Sequence, residues 1–398
     1  MGRGLRLSPD KDCLTVLDFV AQANRNYDFS SRLVSLLGRT EINIENEIKN
    51  GFPHVPKGCC IQLEEIAQKR ILENIRGRLH KNEFYKEQLK NLYEATHSIP
   101  TLSQFLKALQ LPAETFFNKT RLYTRLCAEA GIREDFAITK EEEQLQKYCF
   151  RILSIDSPQW IRFLQKEIDH PYEPTSQVEK QYLRMWQYTI YGKDYQHCGM
   201  KTPLEAITRF SSHPALSEEI QGILAYVYDH IQILPKPLHL PYPCALEVHC
   251  RYTRDQLLAA LGYKNPSSIR EGVKYLPEKK TDIFLITLNK SAKEFSDTTL
   301  YEDYSINDHL FHWQSQNSTS PESETGQRYI HQNEAGNIVL LFVRECKQDI
   351  HRNAMSYTFL GPAHYVTHTG SRPMTIIYKL AEPIPAQYLP TTDSSGVL

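Results

Sequence analysis

No stretch of the 398-residue sequence stays apolar for the roughly 18–20 residues that a membrane span needs. No charged-then-apolar leader opens it either, so a cytoplasmic protein without a membrane partner is expected. Its nine cysteines form no C-x-x-C pair. Cys59 and Cys60 are adjacent, and Cys244 and Cys250 are too far apart for a zinc knuckle. Reduced thiols are therefore expected, and a structural metal is not. An excess of one charge is also missing: 46 Lys and Arg face 47 Asp and Glu, so overall charge argues neither for nor against nucleic acid. There is no G-x-S-x-G elbow and no H-x-K repeat, which leaves Ser hydrolases and phospholipase-D chemistry unsupported. The histidines are scattered and show no metal-ligand cluster.

What is present is an ordered change of texture. Cys13 to Val20 reads as a buried strand and Ala21 to Leu37 as a helix. From Cys60 to Leu79, apolar residues recur at helical period. Thr101 and Gln104 fit a capping box, Pro112 breaks the helix that follows, and Gly131 ends a third helical piece. This spacing suggests either a helix-turn-helix, with Lys119, Arg121 and Arg125 facing DNA, or a plain bundle with a solvated basic face. Three further amphipathic helices run from Ser157, Ser176 and Leu216, the last with Ser217 as its cap. Four prolines between Pro235 and Pro243 then make an extended linker. Beyond it, Thr253 and Gln256 form a second capping box, and five β-rich runs alternate with polar turns. These runs suggest a small barrel or a strongly bent sheet. The last eight or so residues read as a loose tail.

The opening Gly2-Arg3-x-x-Arg6 resembles the end of motif VI of superfamily 2 helicases. From Tyr252 onward, "YTRDQLLAALGYKNPSSIREGVKYLPEKKTDIFLITLNKS", "LLFVREC" and "YTFLGPAHYVTHTGSRPMTIIYKL" closely resemble an uncharacterised C-terminal domain of bacterial DEAD/DEAH-box helicases. Such helicases are of restriction and defence type and often carry a phospholipase-D-like nuclease upstream. The resemblance implies that Arg3 and Arg6 reach a γ-phosphate held by a preceding motor domain. It also implies ATP and Mg in the complete family protein, and DNA and an upstream helicase or nuclease chain as partners. This sequence has no Walker A loop and no DEAD/DEAH box, so it is expected to hold no cofactor and hydrolyse no ATP by itself. It reads as the back end of such a helicase; a gene fragment, a split gene and a late start codon all fit.

The expected architecture is α+β and multidomain. A RecA-like remnant spans 1–38, a helical region 39–135, a helical bundle 136–234 and a β-rich, barrel-like domain 244–390. The expected function is DNA binding and substrate selection for a superfamily 2 helicase; the alternatives are a regulatory protein-interaction module and a metal-dependent nuclease. In "HLFHWQSQ", His309, Phe311 and Trp313 share one side of a strand and Leu310, His312 and Gln314 the other. Trp313 with Gln314 fits base stacking and edge reading, or else a core Trp beside a polar turn. Arg254, Lys264 and Arg270 fit phosphate contacts, though Asp255 and Glu271 interrupt them. Tyr365 and Arg372 fit a loop contact to ligand or a rim of the sheet. Glu345 and Lys347, with Asp282 or Asp303 as partner, would be the nuclease site.

Overall fold

The computed structural model describes residues 33, 44–52, 55, 60–69, 71–72, 82–109, 111–117, 120–236, 238–269, 272–288, 303–348 and 354–389. The strand expected at 13–20, the helix at 21–37, the C-terminal tail, and Arg3, Arg6, Lys119 and Arg270 lie outside the described residues. The chain divides into two compact units, Met1–Pro100 with Gln104–Phe116, and Thr101–Ser103 with Phe117–Leu398.

The first unit is helical in its described part, with α1 (Ile44–Lys49), a stretch over 65–69 and α2 (Asn82–Thr96). The helix expected from Cys60 begins only at residue 65. Tyr85, Phe105 and Phe116 meet edge to face with centroids 5.3 to 6.1 Å apart, the favoured geometry for aromatic quadrupoles. Along the chain follow α3 (Leu102–Ala108), which opens directly after Thr101, α4 (Ala113–Phe116), which follows Pro112, and α5 (Tyr123–Glu129). The expected cationic face is not displayed by the two arginines described there. Arg121 is buried, and Arg125 donates to Asp135 Oδ1 and to the Phe136 carbonyl, both at 2.7 Å.

In the second unit, α6 (Lys140–Leu145), α7 (Pro158–Asp169), α8 (Gln177–Tyr191), α9 (Pro203–Ser211) and α10 (Pro214–Asp229) form a helical layer. Trp160 and Trp186 are wholly buried in it. Ser217 does not cap α10. That helix starts earlier, at Pro214, whose fixed φ and missing N–H suit a first helical turn. Buried Glu219 of α10 accepts the Tyr123 and Thr124 N–H groups at 2.8 and 2.7 Å. It supplies α5 with the cap that Leu122 cannot provide.

The proline-rich stretch is extended and pairs Lys236 with Val248. It does not separate two bodies. Arg251 bonds Asp156 at 2.7 Å, Gln256 Nε2 donates to Thr189 Oγ1 at 2.8 Å, and Ser157 donates to Glu247, so helical layer and sheet pack together within one unit.

The sheet contains β1 (Arg251–Tyr252), β2 (Val273–Leu276), β3 (Thr281–Thr287), β4 (Tyr304–Ser305), β5 (Leu310–Gln314), β6 (Ile338–Arg344), β7 (Tyr357–Thr369) and β8 (Thr375–Leu380). Helix α11 (Arg254–Ala260) follows β1, with the Thr253–Gln256 capping box formed. Helices α12 (Glu324–Ile330) and α13 (Gln332–Ala335) precede β6. The strand order is β2-β3-β6-β7-β8-β5-β4, with β1 added on β7. Among the described strands, only the β3–β6 pair is parallel. The fold is α+β, and its sheet is open instead of barrel-like. The end strands β2 and β4 do not pair, whereas a closed barrel requires its ends to meet.

Candidate nucleic-acid interface

Pairing register fixes which side chains share a face, because directly opposed residues point the same way. Ser305, Phe311, Ile376, Tyr378, Leu380 and Ala363 face one side with Trp313, and all are buried. Tyr329 of α12 closes over them, edge-on to Trp313 with centroids 5.5 Å apart. Gln332 of α13 reaches the Ala363 carbonyl at 2.6 Å. On the opposite face, β3 and β6 bury Ile283, Leu285, Leu340 and Phe342. Phe359 of β7 joins them there, stacked on Phe342 with centroids 4.5 Å apart.

Burial on that second face stops at β8. Across β4, β5, β8 and the C-terminal half of β7, ten residues share the face, and none is buried. One row is Tyr304, His312, Ile377 and Thr367. The second is Leu310, Lys379 and His364, and the third is Gln314, Thr375 and Thr369. Tyr304 stacks on His312 with centroids 4.4 Å apart and planes at 13°, and remains 47% exposed. Lys379 and His364 are opposed and both exposed. No strand residue of this face is a carboxylate. Two acids lie close in sequence: buried Asp303, which precedes Tyr304 and accepts the Gln314 N–H, and exposed Asp308, in the turn before β5. That turn is held by Asn307 Oδ1, which accepts the His309 and Leu310 N–H groups at 2.9 and 2.8 Å. A shallow depression of about 550 Å³ lies where the turn meets Lys379. At the other end, the β7–β8 turn carries exposed Arg372.

The residues singled out from the sequence fall in several places. Gln314 is on the open face, and Arg372 is at its end. Trp313 is a core residue, only 4% exposed, stacked on Phe284 at 4.1 Å. Its ring therefore presents no free face to a base. Tyr365 lies on the covered side, its hydroxyl 2.6 Å from His368 Nδ1, and desolvation pushes its phenol pKa up. Arg254 is drawn into α11, binding Asp255 Oδ1 and, at 2.7 Å, the Ile269 carbonyl. Lys264 is exposed beyond α11, where its carbonyl accepts from Tyr188. Neither belongs to the open face.

The nuclease set does not assemble. Glu345 and Lys347 are exposed just past β6. Asp282 is buried against Arg328, five residues along β3 from the Thr287–Arg344 pair, a strand distance of roughly 16 Å. Asp303 is buried and accepts the Gln314 N–H at 3.0 Å. Among the described residues, no group of three His, Cys, Asp or Glu is placed to hold a metal, and no helix is long and apolar enough to cross a membrane.

Sequence reasoning did not single out Tyr304, His312 or Lys379. The alternation in β5 contained the signal, since it separates Leu310, His312 and Gln314 from Trp313. Residues 246–389, which span the whole sheet, match a family described as a domain of unknown function, DUF3427. No curated protein matches the chain.

Proposed function

We propose that this chain is the DNA-binding, substrate-selecting C-terminal part of a superfamily 2 helicase-type defence protein. It has no ATP site of its own. Arg3 and Arg6 complete one only when a motor is joined or docked. The observation that carries the DNA reading is the uncovered sheet face, where an exposed aromatic stack, an amide and a lysine lie side by side without a carboxylate. Aromatic faces, amide groups and cations are the means by which proteins hold bases and phosphates. The helicase setting rests on the resemblance of the opening arginines and of the segments from Tyr252 onward. The family match over 246–389 supports treating those segments as one domain.

The test is fluorescence anisotropy of labelled single- and double-stranded oligonucleotides with the purified chain at low and moderate salt. Binding that weakens as salt rises is expected, because neutralised phosphates release counterions. No binding to either form at low salt overturns the reading. The second reading, a regulatory module that docks the motor without touching DNA, is favoured by exposed Ile306 and Val366 beside the same strands. It becomes the better account if the oligonucleotides do not bind.

A further inference from the structure

We infer, resting on the DNA reading above, that the open face formed by β4, β5, β8 and the end of β7 binds single-stranded nucleic acid, with an unpaired base stacked on the Tyr304–His312 pair. Three observations lead there.

The first is width. Four strands at about 4.8 Å spacing make a face of roughly 14 Å before side chains are added. The major groove of duplex DNA is about 12 Å wide and admits one helix or a two-stranded ribbon. This face is too broad to enter it.

The second is chemistry. Tyr304 is already stacked on His312 on one side and is half exposed, so a base laid on it would extend an existing stack. A base offers its π-face only when it leaves the duplex stack. Ile377 and Thr367, next in the same row, continue the surface with apolar and methyl groups. Gln314 in the neighbouring row brings an amide that can meet a base edge.

The third is charge. Lys379 and His364 face each other in the row beyond, and Arg372 lies in the turn at the opposite end. A strand crossing the rows would thus meet Lys379 near one end and aromatic surface beside it, with Arg372, whose charge also acts on Glu322, in the turn beyond the other end. With so few cations on the face, affinity depends on stacking more than on phosphate neutralisation, and the salt slope is shallow.

The experiment uses the full chain and four labelled probes: a mixed-sequence DNA 20-mer, the same DNA annealed to its complement, the RNA 20-mer of that sequence, and the same RNA annealed to its complement. Anisotropy titrations compare the parent with Tyr304→Ala, Tyr304→Phe and Lys379→Glu. Thermal melts of each variant verify that it is folded. The expected result is tighter binding to single strands than to duplex. Tyr304→Ala should weaken it about 5- to 100-fold, while Tyr304→Phe, which keeps the ring, stays within about two-fold. Equal affinity for single strands and duplex DNA, unmoved by Tyr304→Ala, overturns the stacking site and leaves the DNA reading standing. A ring-dependent preference for single-stranded RNA over DNA keeps the site and overturns the DNA reading. No binding to any probe overturns both.

Discussion

Arg328 on α12 clasps Asp282 on β3 with two parallel hydrogen bonds, Nε to Oδ2 at 2.9 Å and Nη2 to Oδ1 at 3.0 Å. The guanidinium lies 3.9 Å from the Tyr275 ring centroid, and the carboxylate is only 1% exposed. Burial pushes the Asp282 carboxyl pKa up, and Arg328 pulls it back. Removing the arginine alone leaves a buried charge without its partner. Arg328→Met is expected to cost about 3–5 kcal/mol in urea unfolding. The double variant Asp282→Leu/Arg328→Met should recover most of that loss, since neither charge is then stranded.

Trp313 gives a second test, one of stability. Its ring fills the space between Phe284, Tyr329 and Tyr378. Trp313→Ala should lower unfolding free energy by about 3–5 kcal/mol, through lost burial and the cavity left behind. Tyr304→Ala, on the open side of the same strand pair, should cost under about 1 kcal/mol, the usual worth of a cross-strand aromatic pair. Urea midpoints of the two variants, measured side by side, check the assignment of faces.

Gly326 sits where α12 passes a neighbouring carbonyl. A Cβ there would lie 1.9 Å from the Ser320 oxygen and 3.1 Å from Met374 Sδ. Backbone cannot yield as the tip of a flexible side chain can. Gly326→Ala is therefore expected to destabilise by more than about 3 kcal/mol or to prevent folding. Circular dichroism melts would show it.

Glu167 carries a pH dependence. It is wholly buried in α7, its Oε2 accepts the Tyr172 N–H at 3.4 Å, and burial raises its pKa to about 7. Between its ordinary value and about 7, the folded chain keeps a proton that the unfolded chain has released. Stability from this group is therefore highest below that window and falls as pH rises through it, by roughly 2–3 kcal/mol in total. Glu167→Gln abolishes this contribution. The variant should gain on the parent by about that amount between pH 4.5 and 7.5 in urea unfolding.

The main strands were legible because β-branched and aromatic runs alternate with polar turns. "TDIFLIT", "IVLLFVR" and "TIIYKL" all became strands. The alternation in β5 sets Phe311 and Trp313 apart, but the element that covers them was not legible. It is α12, whose sequence "ETGQRYI" has almost no apolar periodicity and reaches Trp313 through Tyr329. Tyr304 belongs to a two-residue strand, too short for any alternation to register. The rows that make the open face join residues more than sixty positions apart, such as Leu310 and Lys379, so only the pairing register brings them into view.

The order of the strands also has a consequence for biosynthesis. β4 and β5 are translated before β6, β7 and β8, but β5 joins the rest of the sheet only through β8, the last strand. Until the ribosome has passed Leu380, the surface carrying Tyr304 and His312 has no support along that edge. A nascent chain would thus finish its interior pairs first and its exposed face last. Ending translation before Thr375 should leave β4 and β5 as an unanchored hairpin, and such a product would be degraded or aggregate where the full chain does not.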